Sequence, residues 1–125
     1  MFSIDADIQT AGYGGRRAVV SEEDADLRAA LTLHLAERGF HVSQAQGSLD
    51  ALSIIGTEAP SVALLHSERN DRDGERAAAL AAMLYPQTRI IFTASVGMPD
   101  DGPFPVLQRP VNMDQLDRCL DDLSA

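Results

Sequence analysis

Residues Pro60–Gly74 read PSVALLHSERNDRDG. Val62, Ala63, Leu64 and Leu65 form an unbroken apolar run between polar residues, the pattern of a strand covered on both faces in a parallel sheet. The run ends at His66, a polar loop follows, and Gly74 opens an Ala-rich helical segment. In an open α/β sheet the ligand crevice lies beyond the carboxyl ends of the strands. This stretch therefore predicts a central strand that carries an imidazole, His66, to the mouth of a site.

Working outward, Arg17–Ser21 (RAVVS) reads as a first buried strand. It runs into Glu22, Glu23, Asp24 and Asp26. Asp24 suits a helix N-cap and Asp26 a first helical turn, where acids complement the helix dipole. Glu22 and Glu23 precede the helix, at the same predicted sheet edge as His66. Leu27–Arg38 is predicted as an amphipathic helix with Leu27, Ala30, Leu31, His34 and Leu35 on its core face. His34 is read as a packed or edge-of-core histidine rather than a ligand, because nothing near it in sequence would share a metal. Gly39 is the expected C-cap.

Phe40–Ala45 alternates as a second strand, with Phe40, Val42 and Ala45 inward. Gln46-Gly47 turns the chain, and Ser48 is read as the cap of a helix carrying Leu49, Leu52, Ile54 and Ile55. After the His66 loop, a helix over Glu75–Leu84 is expected to take its bulk from Leu80, Met83 and Leu84, and Pro86 ends it. Arg89–Ala94 (RIIFTA) is a fourth strand with Thr93 and Ser95 at its carboxyl end, and Phe104–Gln108 a fifth. Asn112 caps a last helix with Met113, Leu116, Leu120 and Leu123 inward. Cys119 reads as a small buried hydrophobe. Five strands alternating with helices predict an α/β fold: a flavodoxin-like, doubly wound, five-stranded parallel sheet of order 2-1-3-4-5. Segment 95–103 spans nine residues, short for a crossover with its own helix, so the fourth helix is predicted shortened or missing.

At 125 residues and 45% hydrophobic content the chain suits one core. Residues 1–15 are polar and Gly-containing and are read as a mobile N-terminal tail, leaving 16–125 as the domain. That start lacks the basic and apolar regions of a secretory signal. With Cys119 as the single cysteine, an internal disulfide is excluded and a cytoplasmic location is expected. A net charge of −9 argues against nucleic-acid binding, and no apolar run reaches membrane-spanning length. There is no lysine; every basic residue is Arg.

From Arg17 to Ser124 the chain resembles the receiver domain of bacterial two-component response regulators. The resemblance is carried by Glu22-Glu23 after strand one, the DLRAAL helix start, ERGFHVSQAQGSLDAL, the strand-three-to-Gly74 segment, Thr93-Ala94 and Arg109-Pro110, in order and at matching spacing. It implies that Glu22 and Glu23 match the acid pair that holds Mg²⁺, and Thr93 the hydroxyl that reads the phosphoryl group. Arg109 matches the family's lysine, with a cis peptide before Pro110, and His66 stands where the family's phosphoacceptor aspartate stands. Val106 occupies the position of the family's switching aromatic.

An imidazole is a poor ligand for hard Mg²⁺ and forms no acyl phosphate. Loop acids Glu68, Asp71 and Asp73 lie beyond the strand end and do not replace the aspartate. The expectation is a degenerate pseudo-receiver: not an enzyme, with no cofactor and no bound Mg²⁺. It would act by contact with another signalling protein (a histidine kinase, phosphotransfer or output protein), as monomer or homodimer, with Arg109 and protonated His66 neutralising Glu22 and Glu23. Nothing after Ala125 supplies an output domain, so output is expected through another chain. Two alternatives stand beside it. One is a sensor, either with Zn²⁺ or Mn²⁺ on Glu22, Glu23 and His66, or with a phosphate or nucleotide clamped by Arg69, Arg72 and Arg76. The other is a relay protein phosphorylated on His66.

Overall fold

The structure is a computed structural model, described here for residues 16–67, 72–94 and 104–124, with side chains to residue 121. The strands are β1 (Arg17–Ser21), β2 (His41–Gln44), β3 (Val62–His66), β4 (Arg89–Ala94) and β5 (Val106–Gln108). The helices are α1 (Ala25–Glu37), α2 (Ser48–Glu58), α3 (Arg72–Leu84) and α4 (Met113–Ser124). All strand pairs are parallel and the order is β2-β1-β3-β4-β5. This is the predicted flavodoxin-like topology. Segment 95–103, the expected place of the shortened fourth helix, lies outside the described residues, as does the 1–15 stretch.

β3 lies at the centre and every one of its residues is buried. Its side chains alternate between two cores, as strand geometry requires. Val62 and Leu64 join Ala18, Val20, Ile91 and Leu107 beneath Leu31 and Leu35 of α1 and Leu116 and Leu120 of α4. Ala63 and Leu65 join Val19, Ile90, Phe92 and Val106 beneath Ala51 and Ile55 of α2 and Ala78 and Ala81 of α3. Val106, at the switching-aromatic position, is a core residue of this second face, beside the edge-to-face pair Phe92–Phe104 with ring centroids 5.6 Å apart.

Several local expectations need correcting. Ala30 is exposed; α1 buries Leu31 and Leu35, and Leu27 is only half-buried. His34 sits at the helix flank, where its Nε2 meets Asp117 Oδ1 of α4 at 2.7 Å. Ser48 does not cap α2. The N-cap is Gly47, which has no side chain to bond with, and Ser48 is the first helical residue. Leu49 is exposed. α3 begins at Arg72, so Gly74 lies within it, and the helix buries Gly74, Ala77, Ala78 and Ala81 while Leu80, Met83 and Leu84 are exposed. At about 100° per residue the small side chains form the inward stripe and the large ones fall round the side and back of the helix. β5 starts two residues later than predicted, after Pro105, because proline donates no ladder hydrogen bond. Cys119 is half-buried against the first core.

Other signals read directly. The Asp24 carboxylate accepts from the Asp26 and Leu27 amides at 2.9 and 3.1 Å. Gly39 follows α1 with φ 101°, a conformation that costs glycine least. Asn112 Oδ1 accepts from the Asp114 and Gln115 amides at 2.8 and 3.3 Å. Among the described residues no helix is long and apolar enough to cross a membrane.

Candidate functional site

The parallel register brings four chain segments to one edge of the sheet. Ser21 pairs with Leu65, His66 with Thr93 and Ala94 with Gln108, so Glu22, His66, Thr93 and Arg109 emerge side by side. The Arg109-Pro110 peptide, just past β5, is cis.

Glu22 is the hub. Its side chain is fully buried, and its carboxylate is saturated by the chain itself. Oε1 accepts from Thr93 Oγ1 at 2.7 Å, and Oε2 accepts from the Asp24 amide at 3.0 Å and from Arg109 Nη2 at 2.5 Å. Arg28 Nη1 donates to the Glu22 carbonyl at 2.9 Å. Burial by itself would push the Glu22 carboxyl up. Hydrogen bonds from His66, the Asp24 amide and Thr93, together with the charge of His66, outweigh it, and the carboxyl is lowered to about 2.

His66 Nδ1 lies 3.2 Å from Arg109 Nη2 and 3.3 Å from Glu22 Oε1. An unprotonated Nδ1 accepts from Arg109, and a protonated one donates to Glu22; one proton decides between them. Among the described residues Arg109 Nε and Ser67 Oγ are buried without a hydrogen-bond partner. Ser67 itself is held by its amide, which donates to the Thr93 carbonyl at 2.9 Å.

The structure thus gathers Glu22, His66, Thr93 and Arg109 and leaves Glu23 out. Glu23 is exposed and lines a cleft of about 420 Å³ with Ser21, Gln46–Asp50, His66 and Asp73. Of the two glutamates only Glu22 is buried and bonded into the network. The expectation that Arg109 and His66 would neutralise both meets only Glu22. Arg72 and Arg76 are exposed on α3. Their proposed clamp partner Arg69, and the loop acids Glu68 and Asp71, lie outside the described residues. Arg28, Ser21 and Ser67 escaped the sequence reading. The signal for the two serines was their position at strand ends; Arg28, six residues past Glu22 in a helix, offered none.

The chemistry this permits is restricted. Mg²⁺ of the receiver type needs carboxylate oxygens open to it. Here the Glu22 carboxylate is taken up by Thr93, the Asp24 amide and Arg109, and His66 replaces the oxygen ligand, so these residues do not fit the ion. Among the described residues no group of three His, Cys, Asp or Glu is placed to hold a metal.

No sequence-family model and no curated protein sequence matches the chain. Solved structures do. A response regulator protein from Burkholderia multivorans is similar with TM-score 0.72 and 22% identity over 88% of this chain and 95% of that one. A response regulator receiver domain from Clostridium thermocellum gives TM-score 0.74 and 17% identity over 86% and 93%. A third, from Methanospirillum hungatei, gives 0.72 and 19% over 87% and 96%. At these identities the likeness establishes the fold: the chain has the architecture of a receiver domain over nearly its full described length.

Proposed function

We propose that this receiver-fold domain is a signalling module of a two-component pathway that works by protein contact, without aspartyl phosphorylation and without Mg²⁺. The observation that carries the reading is the Arg109–Glu22 ion pair of 2.5 Å on a fully buried carboxylate. In a receiver that takes a phosphoryl group, the acid after β1 serves the metal and the cation after β5 serves the incoming phosphate. Here the two serve each other. With Thr93 bonded to the same carboxylate and His66 at the acceptor position, each of the four functional positions has a partner within the chain. Such a network holds one conformation, and a domain held so presents a constant surface to another signalling protein: a kinase, a phosphotransfer protein or an output protein. The domain is not an enzyme in this reading.

The test is the intact mass of the chain after incubation with Mg²⁺ and acetyl phosphate, beside a phosphorylatable receiver domain as positive control. No phosphoryl gain is expected. A phosphorylated chain overturns the proposal. If the modified residue maps to His66, the domain is a relay protein instead.

A further inference from the structure

The outer face of α3 carries a pattern that the fold does not use. The helix buries Gly74, Ala77, Ala78 and Ala81, while Leu80, Met83 and Leu84 are 42%, 72% and 57% exposed. A single exposed leucine is ordinary on a protein surface, but large apolar side chains gathered on one helix form a patch. At about 100° per residue Arg72, Arg76, Ala79, Leu80 and Met83 share one outward stripe, and Leu84 adjoins it. All of them are exposed.

The charge on the stripe is a second, separate observation. The chain has 10 basic residues against 19 acidic ones. Arg17, Arg28, Arg38 and Arg109 each bond to a group of the chain itself. Arg72 and Arg76, one turn apart at the start of the stripe, have no ion-pair partner among the described residues. Their acidic neighbours Asp73 and Glu75 fall about 60° or more to either side of them. Arg118 of α4 is also exposed, but Asp114 and Asp121 stand at helical spacing from it, and no large apolar residue is exposed beside it among the described residues of that helix.

A straight stripe along a 13-residue helix is the shape that a second helix covers, side chains of one between those of the other. Covering it takes the two guanidinium groups out of water, which is favourable only where carboxylates meet them. A lipid surface fits less well, because anionic headgroups would face a chain of net charge −9. A second copy of this chain also fits less well. Its α3 brings the same two arginines and no acid on the stripe itself, so two such faces leave their cations unmatched.

We infer that the outer face of α3 docks an amphipathic helix of a partner protein, one that sets apolar side chains on Leu80, Met83 and Leu84 and acidic side chains against Arg72 and Arg76. The inference rests on the preceding reading in one respect, that the domain signals by contact, and it names the surface and the chemistry of that contact.

The experiment is a display selection on the full chain with a library of helical peptides, leucines fixed along one face and every other position drawn from Glu, Lys, Gln and Ala. Expected is enrichment of Glu near one end of the apolar face. The selected peptides should bind the double variant Arg72→Gln, Arg76→Gln about tenfold more weakly, the effect of losing two surface ion pairs, and Met83→Gln should also weaken them. All three changes are at exposed side chains, and an unaltered urea midpoint assigns the loss to the surface. No enrichment, enrichment of Lys or of neither charge, or affinities that these variants leave unchanged each overturns the inference. So does dimerisation of the chain alone that Met83→Gln abolishes, which makes the occupant a second copy. Binding to phosphatidylglycerol vesicles that the double variant abolishes overturns it in favour of a lipid surface. Phosphorylation is read by mass and this surface by peptide affinity, so the two proposals fail separately.

Discussion

On the α1–α4 side of the sheet Leu31, Leu35, Leu116 and Leu120 are fully buried, while Leu33 of α1 is exposed. On the α2–α3 side Leu49, Leu80, Met83 and Leu84 are exposed, and α3 buries only glycine and alanines. The helix pairs are also joined differently. α1 and α4 are tied by a His34–Asp117 hydrogen bond of 2.7 Å and by ion pairs of Arg38 with Asp117 at 3.4 Å and Asp121 at 3.6 Å. α2 and α3 meet through an absent side chain: a Cβ on Gly56 would lie 2.7 Å from the Tyr85 hydroxyl. One layer is held by leucines and ion pairs; in the other, α2 brings Ile55 while α3 packs by small residues that let the helix lie close. The contrast teaches that apolar content does not say which layer is anchored; the phase of the large side chains does. The Glu22 network joins both, since Arg109 leads into α4 while His66 looks onto the α2 cleft.

The strongest way to break that contrast is to empty the first layer. Leu116→Ala is expected to lower stability by about 3 kcal/mol, the cost of a fully buried leucine replaced by a cavity, measured by urea unfolding. Acid should weaken the hub by a similar amount. The Glu22 carboxyl lies near 2 when folded against its ordinary 4.5, so its contribution is complete above about pH 4.5 and is lost as pH falls through 2. Linkage puts that contribution at about 3 kcal/mol. Comparing the urea midpoints of the native chain and Glu22→Gln across pH 6 to pH 2 checks it; a stability difference independent of pH would contradict the lowered carboxyl.

Arg109→Met should come next, at about 2 kcal/mol, because it leaves the buried Glu22 charge with fewer donors. Adding Glu22→Gln to Arg109→Met should recover part of the loss, and strict additivity in that cycle would mean the pair is not coupled. Smallest is Leu80→Ala on the outer side of α3, expected within about 0.5 kcal/mol of the native chain. A loss near that of Leu116→Ala would show that α3 is anchored by its large residues after all.

The strand-by-strand course was legible because β3 and β4 are short apolar runs bounded by turn residues, and because Asp24, Gly39 and Asn112 act within a few residues of where they stand. The burial of Glu22 was not legible. In the sequence Glu22 and Glu23 are two like neighbours, yet only Glu22 is buried and Glu23 is exposed. One meets Thr93 and Arg109 inside, and the other faces the cleft. Helix phase failed for α3 for a related reason: two stripes, one small and one large, were both available, and size argued for the wrong one.

Local chemistry in the sequence thus determined the five strands, their order, the Asp24 and Asn112 caps and the imidazole at the end of the central strand. The tertiary structure alone decided which acid is buried, which helix face is inward and where Arg109 reaches. Those outcomes depend on groups 71 and 87 residues from Glu22 arriving at one sheet edge, and burial and charge pairing at that distance are properties of the packed sheet and not of any segment of the chain.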